Sequence, residues 1–379
     1  MIITDISTFH CSDGLRNAIF LQVHTDEGIV GVGEPYTIGP DEGVLGLIKS
    51  ITPWFVGQDP SRIEWLLRRA RNNMRFPLGP VGWSALSGID HALWDIAGKA
   101  AGLPVYMLLG GAFRDRVRVY HGVQGDTPDA LAEAGLRLVD EGYGAMKTSP
   151  YPPEWRSLPW NRVVKDATAR METLRLAVGN DVDIALDVHA TLVEPFRAEQ
   201  LATAVEPYRP MFIEEPVRPE QVDSFARLRE RLRIPLATGE NLYGLAQFAA
   251  LIDGHGVDII QPDVCSSGGL LEVKKICAVA EANYVTVAPH NPLGLLSTAV
   301  SVHLAASTPN FVILEYHGKN ESARSRFVDD PWKPVDGYMS LPERPGLGME
   351  LNLEAIAASP PIDWNRGFPT YNDGSAGFI

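Results

Sequence analysis

Between residues 116 and 315, short apolar runs alternate with longer stretches of helical spacing. Candidate strands lie at 117–121, 143–147, 183–187, 210–214, 235–239, 257–261, 284–288 and 311–315, and helical stretches at 127–141, 162–177, 197–207, 219–231, 243–253, 269–282 and 294–307. Eight strands with seven intervening helices is the count for a closed (β/α) barrel whose last helix is missing or displaced. Upstream, Met1–Ser7, Ile19–His24 and IVGVGE read as an antiparallel meander. Helical spacing follows over 44–55, 61–73 and 84–101, the last stopped by Gly102 and Pro104. The predicted fold class is therefore α/β: a (β/α)7β TIM-like barrel over residues 116–317, preceded by an α+β capping domain over 1–115. Residues 318–379, rich in Pro, Gly and Asn, are expected to return and pack on the capping domain.

Composition changes this picture in three ways. A chain of 379 residues exceeds one ordinary core, in line with two domains. A formal charge of −14 argues against nucleic acid or an anionic membrane as partner, but a bound cation would still admit an anionic substrate. The three cysteines, Cys11, Cys265 and Cys277, make no disulfide framework. With no basic-then-apolar leader and no long apolar run, a cytoplasmic protein is expected, and a homo-oligomer is usual for a soluble enzyme.

The residues that end the apolar runs carry the chemistry. GAMKTS ends with Lys147 near its close, IALDVH holds Asp187 and His189, MFIEEP Glu214 and Glu215, LATGEN Glu240, DIIQPD Asp263, VTVAPH His290 and FVILEY Glu315. From Asp187 to Glu315 the intervals are 27, 26, 23, 27 and 25 residues, the length of a strand, loop and helix. Acidic residues normally scatter over solvated faces. Recurrence at strand ends puts them on the rim where barrel enzymes build their sites.

Asp187, Glu214 and Glu240 come from successive strand ends and are expected to converge, which three ionised carboxylates cannot do without a cation. All-oxygen ligation favours Mg²⁺, with Mn²⁺ as substitute, bound to a small-molecule carboxylate substrate. Glu214 is preferred over Glu215 because strand alternation turns only one inward. Lys147 is a candidate base or partner of the substrate carboxylate, with a pKa expected to fall beside a divalent cation. Asp263 and His290 end neighbouring strands and read as a dyad in which the carboxylate fixes the tautomer of a general base or acid. His189 reads as a fourth ligand or, better, as an acid for a leaving hydroxyl. Glu315 would form a hydrogen bond opposite Lys147, and Arg16 in the first polar loop is a candidate contact for the distal end of the substrate.

With these residues assembled, the chain resembles the enolase superfamily, mandelate racemase subgroup. The resemblance rests on SALSGIDHALWDIAGKAAGLPVYMLLGG and on the strand ends LDVH, IEEP, TGEN, QPD and APHN. It implies a modified (β/α)7β barrel under an α+β cap, and removal of a carboxylate's α-proton through an enediolate. It assigns Asp187, Glu214 and Glu240 to one metal ion, Asp263–His290 to the dyad, and Glu315 to the enediolate oxygen. Racemases of the subgroup carry Lys-x-Lys where this chain has Lys147-Thr148-Ser149, which weakens a two-base reading. Asp187-Val188-His189 and the HNPLG after Pro289 are instead similar to galactonate- and mannonate-type dehydratases, in which the added histidine is the acid. The function expected is Mg²⁺-dependent dehydration of an aldonate-type sugar acid to a 2-keto-3-deoxy acid. The alternatives are an epimerase or cycloisomerase using Lys147 and His290 as opposed bases, a non-catalytic sugar-acid-binding protein, and a metal-dependent barrel hydrolase, which would want histidine-rich ligation.

Overall fold

The computed structural model describes residues 1–364 and 367–378, with the Lys319 side chain outside the description. At the N-terminus β1 (Ile3–Ser12), β2 (Asn17–Thr25) and β3 (Val30–Gly33) form an antiparallel sheet. Three helices follow: α1 (Asp41–Phe55), α2 (Ile63–Asn73) and α3 (Pro80–Ala101). The glycines of β3 are dictated by α3. A Cβ at Gly31 or Gly33 would lie 2.0 Å from the carbonyl oxygen of Ala92 or Gly88.

Proline in its first turn starts α3, and Gly102, at φ 69°, ends it in the left-handed conformation that glycine adopts freely. The helix is buried nearly all round, because the sheet lies on one side and the barrel on the other. Several of its polar residues reach across to partners on other elements. Ser87 Oγ accepts from Gly268 N at 3.0 Å, Asp90 Oδ1 accepts from Leu270 N, and His91 Nε2 donates to Val264 O at 2.9 Å. Asp95 accepts from Val32 N at 3.0 Å and Leu347 N at 2.7 Å. The bonds of Ser87, Asp90 and His91 fasten the cap to the barrel, and those of Asp95 tie α3 to β3 and to the C-terminal segment.

The short α4 (Val105–Leu108) leads into the barrel. There β4 (Arg116–Gly122), α5 (Pro128–Asp140), β5 (Ala145–Thr148), α6 (Trp160–Val178), β6 (Asp183–Asp187), α7 (Pro195–Val205), β7 (Ile213–Glu214) and α8 (Val222–Arg231) alternate. The alternation continues through β8 (Leu236–Thr238), α9 (Gly244–Asp253), β9 (Ile259–Ile260), α10 (Gly269–Ala282), β10 (Thr286–Val287), α11 (Leu295–Ala306) and β11 (Leu314–Tyr316). The strands pair in parallel from β10 back to β4 and on to β11, and a parallel bridge between Val287 and Phe311 closes the ring. Several strands are shorter than the apolar runs predict. Their outer residues stay in the ladder through single backbone bonds, such as Val188 N to Glu214 O and Glu215 N to Ala237 O, both 3.0 Å.

The barrel floor is packed by Tyr120, Ala145, Ala185, Phe212, Ala237, Ile259, Ala288 and Ile313. Large rings and branched chains from some strands fill the space that alanines leave on others. Beyond β11, β12 (Tyr338–Ser340) pairs antiparallel with β4, and α12 (Leu353–Ala357) follows. The chain then reaches the N-terminal sheet: Ser12 N donates to Ser359 O at 3.0 Å, and Asn17 exchanges hydrogen bonds with Ile362. Among the described residues no helix is long and apolar enough to cross a membrane.

Candidate active site

The strand period of two positions the site. Two residues beyond Ala145, Ala185, Phe212, Ala288 and Ile313 on the floor come Lys147, Asp187, Glu214, His290 and Glu315. Those five therefore form the next layer up, at the carboxyl ends of the strands. Lys147 stands at its centre. Its Nζ lies 3.0 Å from Asp187 Oδ2, 2.8 and 3.0 Å from the two Glu214 oxygens, and 3.0 Å from Glu315 Oε1. Burial alone would lower its pKa, but the charges of Asp187, Glu214 and Glu315 raise it well above that of a free lysine. These contacts are those of the protein without a cation, whereas the downward shift expected for Lys147 belongs to the site with a divalent cation beside it.

The carboxylates are set apart by their partners. Burial works to raise Asp187, but Lys147 and His189 bring it below the usual range. Glu214, fully buried, is pushed well up, first by burial and then by the charge of Asp187. Burial would also raise Glu315, but Lys147, His290 and a bond from Asn291 N (2.9 Å) hold it at about 2. Glu215 faces away from the layer. Its Oε1 accepts from Thr238 Oγ1 at 2.7 Å and Gly239 N at 3.0 Å, and burial with the nearby Glu240 pushes it up to about 8.

The expected dyad pair lies in contact. His290 Nδ1 donates to Asp263 Oδ2 at 2.8 Å, and Asp263 Oδ1 accepts from Cys265 N at 2.7 Å. This leaves Nε2 turned to the site, 3.3 Å from Glu240 Oε2 and 3.9 Å from Glu315 Oε2. Burial opposes a proton on this ring, but Glu240 and Asp263 outweigh it and raise the pKa well above that of free histidine.

His189 reaches the site differently from a continued strand. The backbone turns to φ 55° at His189, whose N donates to Asp187 Oδ1 at 2.8 Å and whose Nε2 lies 3.2 Å from Asp187 Oδ2. The ring is more than half exposed. It lines a cavity of about 440 Å³ with Ser149, Tyr151, Arg156, Arg170 and Thr191. Ser149 accepts from Tyr151 N at 3.3 Å, and no second lysine stands there. Arg16 donates to Thr37 Oγ1 at 3.1 Å and Thr37 O at 2.8 Å, and packs over the rings of Tyr36 and Trp364. Tyr36 in turn stacks on His290, with ring centroids 6.2 Å apart.

As the side chains stand, no three His, Cys, Asp or Glu residues among those described form a ready-made metal cage, because Lys147 draws Asp187 and Glu214 to itself. The donor chemistry nonetheless fits a hard divalent cation. Asp187, Glu214 and Glu315 share the single Lys147 ammonium, and Glu240 adds a further carboxylate 3.3 Å from His290 Nε2, an oxygen donor set of the kind hard divalent cations take. Sequence reasoning missed Glu34, which holds the amides of Gly294 and Ser297, Tyr36, which stacks on His290, and Asn291, which bonds Glu315. The GVGEP motif of β3 was the only local signal for the first two.

Comparison with known proteins gives a consistent outcome. Residues 130–356 match the model for the enolase C-terminal domain-like family, and residues 7–110 match the mandelate racemase / muconate lactonizing enzyme N-terminal domain. The D-galactonate dehydratase of Ralstonia nicotianae is 37% identical over 367 residues, spanning 94% of this chain and 95% of the relative. That of Pectobacterium atrosepticum is 36% identical over 383 residues, spanning 99% of both. An enolase from Agrobacterium radiobacter, provisionally named a galactarate dehydratase and solved with sodium and L-malate, superposes with a TM-score of 0.94 at 41% identity over 100% of both chains. With both halves matched in order and the relatives aligned end to end, the chain belongs to the enolase superfamily, in its mandelate racemase / muconate lactonizing enzyme group.

Proposed function

We propose that the protein is a Mg²⁺-dependent hydro-lyase that dehydrates an aldonate-type sugar acid to a 2-keto-3-deoxy acid. The observation that carries the reading is the pair of differently placed histidines. His290 is buried and oriented by Asp263, whereas His189 is exposed to the cavity. Dehydration needs two such groups, because removing the C2 proton and protonating the departing C3 hydroxyl require different positions and protonation states.

In this reading Asp187, Glu214 and Glu240 hold the cation, which when bound acts as a Lewis acid on the substrate carboxylate. Lys147 places its ammonium beside the same carboxylate. Nε2 of His290 takes the C2 proton, and Glu315, anchored by Asn291 N, hydrogen-bonds the oxygen on which charge develops. His189 donates a proton to the C3 hydroxyl, which leaves as water, and the resulting enol takes up a proton at C3 to give the ketone at C2. The cap shuts out bulk water and, with the cavity beside His189, receives the distal end of the substrate. We take residues 1–115 as that cap, 116–317 as the barrel and 318–379 as the returning segment, in a cytoplasmic homo-oligomer.

The relatives named as D-galactonate dehydratases support the sugar-acid class. An epimerase with opposed bases is disfavoured, since Ser149 stands where the racemases of the subgroup carry the second lysine of Lys-x-Lys. A screen of mono- and diacid sugars with Mg²⁺, read as semicarbazide-reactive keto acid, tests the proposal. Product from an aldonate supports it, and no product from any acid defeats it.

A further inference from the structure

Glu34 follows β3 in the cap, is buried, and takes no part in the chemistry above. Its carboxylate reaches the barrel, where Oε1 accepts from Gly294 N at 2.9 Å and Oε2 from Ser297 N at 2.8 Å. These amides open α11, the helix that directly follows His290, and a carboxylate at a helix N-terminus is favourably placed. The approach is close: a Cβ at position 294 would lie 2.7 Å from Glu34 Oε1, so a larger residue there would displace the carboxylate.

Two residues on, the same cap segment meets the base from another side. Tyr36 N donates to Cys265 O at 3.2 Å, two residues beyond Asp263, and its ring lies on the imidazole of His290 at an interplanar angle of 28°. The intervening loop is fixed at its other atoms by the barrel and the C-terminal segment. Asn291 Nδ2 donates to Glu315 O at 2.9 Å and Thr298 Oγ1 at 3.0 Å, and Arg324 Nη1 donates to Pro292 O and Leu293 O, both at 2.6 Å. Arg324 is itself tied to the cap through Asp13 Oδ2 at 2.9 Å. Glu34 thus grips the loop that carries His290 directly from the cap, through two backbone amides.

We propose that Glu34 is a positioning residue: the cap sets the place of the His290 imidazole by gripping Gly294 and Ser297, with Tyr36 laid against the ring. This rests on the reading of His290 as the base. It means that the cap helps assemble the base as well as cover the substrate.

Glu34→Gln tests it, since the amide keeps the shape but turns one acceptor into a donor that cannot serve an N–H. Two readouts are taken on the full chain: hydrogen–deuterium exchange of the peptide spanning 289–299, and kcat with KM across pH. The expected result is exchange faster by about tenfold in that peptide, with β6 to β8 unchanged. With it, kcat should fall about 10- to 100-fold at a KM within about twofold, and the pH limb belonging to His290 should move. Unaltered exchange, or altered exchange with unaltered kcat and pH profile, overturns the proposal. If Glu34→Gln does not fold, Tyr36→Leu is read by the same measurements and the same criteria. If the wild-type protein dehydrates no sugar acid, the proposed function fails, and the exchange arm alone decides whether Glu34 holds the loop.

Discussion

His290 donates through Nδ1 to Asp263 Oδ2 at 2.8 Å while its Nε2 faces the carboxylate layer of the barrel. A carboxylate on one ring nitrogen selects the tautomer and raises the basicity of the other. His290→Asn and Asp263→Asn should each lower kcat by about 10²- to 10⁴-fold, the contribution of a positioned general base. Steady-state rates on the best substrate of the screen check this, with near-normal rates in either variant counting against the dyad.

His189 carries a separate expectation. Because it lines the cavity and His290 does not, His189→Asn should cut keto-acid formation by about 10²-fold or more. Exchange of the substrate C2 proton with solvent should persist, since the base is intact. Proton NMR in D₂O follows both at once. A variant that loses both together, or that keeps full dehydration and loses its metal, would reverse the assignment.

Exhaustive chelation should abolish turnover, and Mg²⁺, or Mn²⁺ in its place, should restore it. Glu240→Gln, which removes one of the proposed oxygen ligands, should raise the Mg²⁺ concentration needed for half-activity by about tenfold or more. A metal titration of activity reads this directly.

Two buried histidines away from the site give a pH prediction. His91 donates through Nε2 to Val264 O at 2.9 Å, and His303 Nδ1 accepts from Tyr106 N at 3.1 Å. Burial pushes each down to about 4. A folded pKa below the unfolded value of 6.5 means their contribution is complete above 6.5 and is lost as pH falls toward 4. At pH 5 each costs about 2 kcal/mol relative to neutral pH. His91→Gln and His303→Gln together should therefore shrink the drop in Tm between pH 7 and pH 5, whatever they do to Tm at pH 7. Thermal unfolding at the two pH values decides it.

The barrel and its polar layer were legible because strand period and rim position are local properties. Lys147, Asp187, Glu214, His290 and Glu315 each sit two residues beyond an apolar floor residue, and that spacing is visible in a single run. What stayed hidden depends on partners far away in the chain. Glu34 meets Gly294 and Ser297 only when the cap is seated, and Asp90 and Asp95 look like solvated acids until Leu270 and Leu347 arrive. The turn that aims His189 was equally hidden, because a positive φ at a non-glycine residue leaves no mark in hydrophobic patterning. The surroundings of Arg16 were hidden in the same way: its position in a polar loop gave no sign of the Tyr36 and Trp364 rings it packs over.

The most direct test of the account is the fate of the C2 and C3 hydrogens when the best sugar acid is converted in D₂O with Mg²⁺. Proton abstraction at C2 followed by loss of the C3 hydroxyl predicts a 2-keto-3-deoxy acid carrying one deuterium at C3, formed about 10²-fold or more slowly by His290→Asn. A C2-deuterated stereoisomer of the starting acid, formed without any keto acid, would contradict it.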